Sequence, residues 1–127
     1  MNILIAEDNL INQLLIKILM SNLEWKYTLV ENGFEAINAC RTGSFDAILM
    51  DIEMPLLNGI EAARRIRTFN KSIPIIAVTA YNNDHNRKQC HLAGMDAFIE
   101  KPAKEEEIRD IVTRFIAIRD SRINESD

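Results

Sequence analysis

The stretch Ile48-Leu49-Met50-Asp51-Ile52-Glu53-Met54-Pro55-Leu56-Leu57-Asn58-Gly59 decides the fold. It opens inside an apolar run, Ala47 to Met50, that suits a strand buried on both faces. The run stops at Asp51, with Glu53 and Pro55 just behind it. A carboxylate at the mouth of a buried strand is poorly solvated, so it is kept where something binds or neutralises it. Asn58-Gly59 then marks a turn, and helical periodicity runs from Gly59 to Phe69.

The same alternation extends in both directions. Apolar runs recur at Ile3 to Ala6, Tyr27 to Val30, Ile75 to Val78 and Ala97 to Ile99. Between them lie segments long enough for crossover helices, at Asn9 to Asn22, Phe34 to Arg41 and Asp84 to Ala93. A last amphipathic helix carries Ile108, Ile111, Val112, Phe115 and Ile116 on one face. Turn residues fall between elements, at Asn32-Gly33, Thr42-Gly43-Ser44 and Gly94. Strand alternating with helix predicts an α/β fold: one doubly wound, five-stranded parallel sheet with helices on both faces. The expected organisation is a single domain over 1–120, followed by a polar C-terminal tail over 121–127.

Composition narrows the function. A chain of 127 residues that is 47% hydrophobic has enough apolar area for one real core. Its net charge of -4 argues against nucleic acid, because Glu105, Glu106, Glu107, Asp110 and Asp120 break up the C-terminal basic residues. Lys17 interrupts the most apolar helix, and the short apolar start meets Glu7-Asp8, so neither membrane insertion nor a signal peptide is expected. Cys40 and Cys90 form no C-x-x-C and read as reduced, packed thiols of a cytoplasmic protein.

In a doubly wound sheet the carboxyl ends of the strands open onto one crevice. The first strand ends in Glu7-Asp8, the third in Asp51, the fourth in Thr79 and the fifth in Glu100-Lys101-Pro102. Three acids, a hydroxyl and an ammonium therefore converge on one rim. Like charges at about 4 Å repel by ~4 kcal/mol at an effective dielectric near 20, so the acids need a cation. Oxygen ligands rich in carboxylate suit Mg²⁺. An Asp, a divalent metal, a Lys and a Thr around one point are the parts needed to form an aspartyl phosphate. Taken singly, Thr79 reads more readily as a helix cap and Lys101 as a surface charge; their joint placement reverses that and points to a site.

Glu7-Asp8-Asn9, Met50-Asp51-Ile52-Glu53-Met54-Pro55 with Asn58-Gly59, Val78-Thr79-Ala80 and Lys101-Pro102 resemble the receiver domain of two-component response regulators. The resemblance spans Met1 to about Arg119 and implies a flavodoxin-like fold with strand order 2-1-3-4-5. It implies that Asp51 accepts a phosphoryl group from a histidine kinase or a histidine phosphotransfer protein. It also implies that Asp8, Asp51 and the backbone carbonyl of Glu53 ligate Mg²⁺, with Glu7 acting through water, and that Lys101 and Thr79 hold phosphoryl oxygens. The implied domain catalyses its own phosphoryl transfer and dephosphorylation and turns over no separate substrate. The string Glu7 to Gln13 resembles the receivers of hybrid sensor kinases in particular.

Further roles follow from the same resemblance. Thr79 would be drawn inward on phosphorylation and Phe98 would fill the space, although a core aromatic that never moves fits the sequence too. Glu53 and Tyr81 would line the approach of water to the phosphoryl group, or be ordinary loop residues. A cis Lys101-Pro102 bond is also implied. On the first helix, apolar residues cover far more than one packed face. Leu10, Leu14, Ile16 and Met20 are therefore expected to form a docking patch for the phosphodonor, unless neighbouring helices cover the surplus. Two other families use related parts. Haloacid-dehalogenase-type phosphatases resemble D-x-D-x-T/V at the nucleophile, which Asp51-Ile52-Glu53 does not match. Flavodoxin-like flavin modules need a hydroxyl- and glycine-rich loop where Glu7-Asp8 stands.

Overall fold

The computed structural model describes residues 1–126. Five strands form one parallel sheet in the order β2-β1-β3-β4-β5: β1 (Asn2–Ala6), β2 (Lys26–Val30), β3 (Ala47–Met50), β4 (Ile75–Thr79) and β5 (Ala97–Glu100). The helices are α1 (Leu10–Leu23), α2 (Gly33–Thr42), α3 (Gly59–Ile66), α4 (Asp84–Leu92) and α5 (Glu105–Ser126). Every strand and helix thus falls in the segment where the alternation of the sequence places it, with the ends of α3 and α5 displaced.

Successive strand residues point to opposite faces, which splits the core in two. Leu4, Ile48, Met50, Ile75 and Ala77 pack with Ala36, Ala62, Ile66 and Cys90 from α2, α3 and α4. Ile3, Ile5, Leu49, Ile76, Val78 and Ile99 pack with Ile16 and Met20 of α1 and Ile108 and Val112 of α5. Fully burying each large aliphatic side chain contributes about 1.5–3 kcal/mol, so the two layers lock the central strands from both sides. Both cysteines lie in the first layer, where burial pushes their thiols up to about 11 and leaves them inert.

Four helices start on the same device. Asn9, Asn32, Asn58 and Asn83 each precede a helix, and each side-chain oxygen accepts the backbone N–H three residues on. The α5 helix instead opens on Glu105, Glu106 and Glu107, acids that oppose the positive end of its macrodipole. It then runs through Ser126, so the segment from Ser121, expected as a polar tail, continues the helix. Ser121 to Ser126 contains no Gly or Pro to stop it. Asp127, the last residue of that expected tail, lies outside the described residues. The α3 helix ends earlier than expected, because Thr68 and Phe69 donate to carbonyls three residues back and close a tighter turn.

The loop from Asp51 to Gly59 is held close to the sheet by a glycine. A Cβ on Gly59 would stand 2.0 Å from the Asp51 carbonyl oxygen and 2.8 Å from Met50 Cγ. Replacing Gly59 by Ala must therefore push α3 away from the end of β3, at an expected loss of about 1–3 kcal/mol. Urea unfolding of Gly59→Ala should show this as a lower midpoint, and an unchanged midpoint would mean the loop is not so tightly seated.

Candidate functional site

Backbone bonds of the parallel ladder continue one residue past the strands and fix the rim. The Asp51 N–H donates to the Ala6 carbonyl at 3.0 Å, Glu7 N–H to the Val30 carbonyl at 3.0 Å, and Lys101 N–H to the Thr79 carbonyl at 2.8 Å. These bonds leave Glu7, Asp51, Thr79 and Lys101 little freedom beyond their rotamers. The Lys101-Pro102 bond is cis.

The side chains meet as the strand ends suggest. Lys101 Nζ donates to Glu7 Oε1 at 2.5 Å and to Asp51 Oδ2 at 2.9 Å, which makes it a bridge between the two carboxylates. Glu7 and Asp51 are buried, while Asp8 is exposed at the mouth. Carboxylate oxygens of Glu7, Asp8 and Asp51 lie within 4.8 Å of one another. Burial pushes the Glu7 carboxyl above its usual pKa; Asp51 beside it adds to the rise, and Lys101 only partly offsets it. Burial works against the Lys101 ammonium as well, but its bonds to Glu7 and Asp51 outweigh that and hold its pKa above the usual lysine value. Three carboxylates facing one ammonium leave an excess of negative charge that a hard divalent cation fits. The donors are all oxygen, as Mg²⁺ requires.

The remaining expected residues stand around this cluster. Thr79 is fully buried, and its Oγ1 accepts the Tyr81 N–H at 3.1 Å. The Glu53 N–H donates to Asp51 Oδ1 at 3.1 Å, while the side chains of Glu53 and Tyr81 are exposed. Phe98 is half-buried on β5 against the α2–α4 layer. An apolar cavity of about 170 Å³ opens between α1 and the start of α5, beside Ala103, and reaches Glu7, Asp51 and Lys101.

The first helix corrects the expected patch. Ile16 and Met20 are buried in the core, at 8% and 0% exposure, and so are unavailable for docking. Leu10 and Leu14 are exposed as expected, and Ile11, Leu15 and Ile18 join them on the free surface. With apolar residues almost all round the helix, periodicity alone could not say which stripe faces the sheet. The buried stripe is Gln13, Ile16 and Met20. Gln13 is the residue that sequence reasoning missed: its Nε2 donates to the Glu7 carbonyl at 2.7 Å and ties α1 to the rim. Its signal was a polar side chain three residues before Ile16 and seven before Met20.

The family model for the response regulator receiver domain matches residues 3–113. The receiver domain of a sensor histidine kinase from Pseudomonas aeruginosa, solved with a magnesium ion coordinated in its active site cleft, superposes with a TM-score of 0.85 at 38% identity, over 91% of this chain and 97% of that one. The receiver domain of the Saccharomyces cerevisiae response regulator Ssk1, co-crystallised with the histidine phosphotransfer protein Ypd1, gives a TM-score of 0.84 at 31% identity, over 94% and 90% of the two chains. Histidine kinase 5 of Arabidopsis thaliana is 31% identical over 90% of this chain, but the match spans only 15% of that protein's length.

The division of α1 into buried and free faces has a direct consequence for stability. Met20→Ala should lower the unfolding free energy by about 2–5 kcal/mol, as large-to-small core changes do, whereas Leu14→Ala should stay within about 0.5 kcal/mol of wild type. Equal losses in urea titrations of the two variants would contradict the assignment.

Proposed function

The chain belongs to the response regulator receiver domain family, and on that basis we propose that it takes a phosphoryl group from a phosphohistidine donor onto Asp51, in a Mg²⁺-dependent reaction, and switches conformation for phosphorelay signalling. The observation that carries this reading is the meeting of Glu7, Asp8, Asp51 and Lys101 at one sheet edge, with buried Thr79 ending the neighbouring strand. Asp8, Asp51 and the Glu53 carbonyl would hold Mg²⁺, with Glu7 acting through water. When bound, Mg²⁺ neutralises the crowded carboxylates and the charge of the incoming phosphoryl group.

The chain's own residues do the rest. A carboxylate oxygen of Asp51 forms the new bond to phosphorus while the phosphorus–nitrogen bond of the donor breaks, and the departing imidazole keeps the electron pair and takes a proton from solvent water. Lys101, already poised on Asp51, is placed to follow the developing negative charge onto a phosphoryl oxygen. Thr79 offers its hydroxyl to another such oxygen, and turning toward it loosens its bond with Tyr81. Phe98 moves into the space left behind. Hydrolysis later releases the phosphoryl group, with Glu53 and Tyr81 setting how easily water arrives from the open side. The donor is a histidine kinase or a histidine phosphotransfer protein of the cytoplasm, which docks on the exposed apolar face of α1 at Leu10 and Leu14.

Two experiments test the chemistry and the docking separately. With Mg²⁺ and acetyl phosphate, intact-mass measurement should find one phosphoryl group on the wild type and none on Asp51→Asn, while Lys101→Ala should label roughly 10²-fold more slowly. Label persisting on Asp51→Asn would move the acceptor elsewhere. Leu14→Glu should reduce transfer from a phosphohistidine protein by about tenfold and leave acetyl phosphate labelling unchanged. Equal loss with both donors would remove α1 from docking.

A further inference from the structure

We propose that Arg87 is a positioning residue: from α4 it holds the half-buried Phe98 ring in place and thereby sets how readily Asp51 is phosphorylated, an inference that rests on the receiver reading above. The Arg87 guanidinium carbon lies 4.8 Å from the centroid of the Phe98 ring, within cation–π reach. Its Nε donates to Asn82 Oδ1 at 2.6 Å, and Asn82 Nδ2 donates to Glu100 Oε2 at 3.0 Å. Asn86 Nδ2 adds a bond to the Tyr81 carbonyl at 2.9 Å. A closed circuit results, from Phe98 and Glu100 on β5, through Tyr81 and Asn82 in the loop after β4, to Asn86 and Arg87 on α4 and back to the ring.

Both moving parts of the proposed switch are anchored in this circuit. Phe98 and Glu100 are two residues apart on one strand and so face the same side, toward α4, while fully buried Ile99 faces the other core. Thr79 pairs with Glu100 in the sheet register and binds the Tyr81 N–H, so the loop that carries Asn82 begins at the switch hydroxyl. Drawing Thr79 toward a phosphoryl oxygen pulls that loop from Glu100. Inward movement of the ring takes it from under Arg87. The contacts exist in one state and are lost in the other, which is the condition for a contact to bias an equilibrium. Arg87 itself is exposed, so its removal disturbs the fold little.

The test uses the full chain with Mg²⁺ and acetyl phosphate. Arg87→Met keeps an apolar stem but loses the cation and the bond to Asn82. It should be labelled on Asp51 about two- to fivefold faster than wild type, the factor equivalent to about 0.5–1 kcal/mol for an exposed cation–π contact. Losing a positive charge would by itself slow capture of an anionic donor, so a gain cannot come from charge alone. In a Phe98→Leu background the Arg87→Met gain should vanish, and Mg²⁺ affinity should be the same throughout. An unchanged or slower Arg87→Met rate, a gain that persists without the ring, or a gain that tracks altered Mg²⁺ affinity would each overturn the inference while leaving the receiver reading intact. A wild-type chain that takes no label would overturn both.

Discussion

The structure depends on one ammonium group held between two buried carboxylates. Lys101 reaches from the end of β5 to Glu7 beyond β1 and Asp51 beyond β3, and so crosses the rim of the sheet. Without it, Glu7 and Asp51 would face each other at a separation where repulsion amounts to several kcal/mol. With it, Asp8 at the mouth still leaves the cluster acidic, and the Glu7 carboxyl stays above its usual pKa, raised first by burial and then by Asp51 beside it. Such a site is stable enough to fold but not electrostatically satisfied. A divalent cation and a phosphoryl group are the partners proposed to complete it.

The scaffold serves this by removing freedom at the rim. Ladder bonds carry on past the strands, Gly59 lets α3 sit against the Asp51 carbonyl, and Gln13 ties α1 to the Glu7 carbonyl. Positioning is where much of the catalytic advantage of phosphoryl transfer resides, since the protein has little covalent chemistry to perform beyond the acceptor itself. Freedom is kept instead on the other side, where the loop after β4 is held to β5 and α4 by exposed contacts of modest strength. A rigid rim beside a lightly held loop is the mechanical requirement of the proposed switch.

Much of this was legible in the residues. Short apolar runs separated by helical segments specify a parallel sheet, and the residues at the strand ends alone group Glu7, Asp8, Asp51, Thr79 and Lys101 on one rim. The order of strands and the roles at the rim came from the resemblance to receivers rather than from periodicity. Two features were not legible. Which stripe of α1 is buried was hidden because Leu10, Ile11, Leu14, Leu15 and Ile18 satisfy a helical period as well as Ile16 and Met20 do. The end of α5 was hidden because its polar last turns contain no stop signal and no apolar face strong enough to announce a helix. The circuit through Arg87, Asn82 and Glu100 lies within one stretch of the chain, but it rests on side-chain geometry across the loop after β4, α4 and β5, which periodicity does not encode.

The most direct test follows the side-chain carboxylate carbons by NMR as Mg²⁺ is added to the purified chain. The resonances of Asp8 and Asp51 should move together and saturate at one ion per chain, with Glu105, Glu106 and Glu107 unaffected. Shifts spread across those surface acids, with Asp8 and Asp51 unmoved, would contradict the claim that the rim carboxylates are gathered to hold a metal.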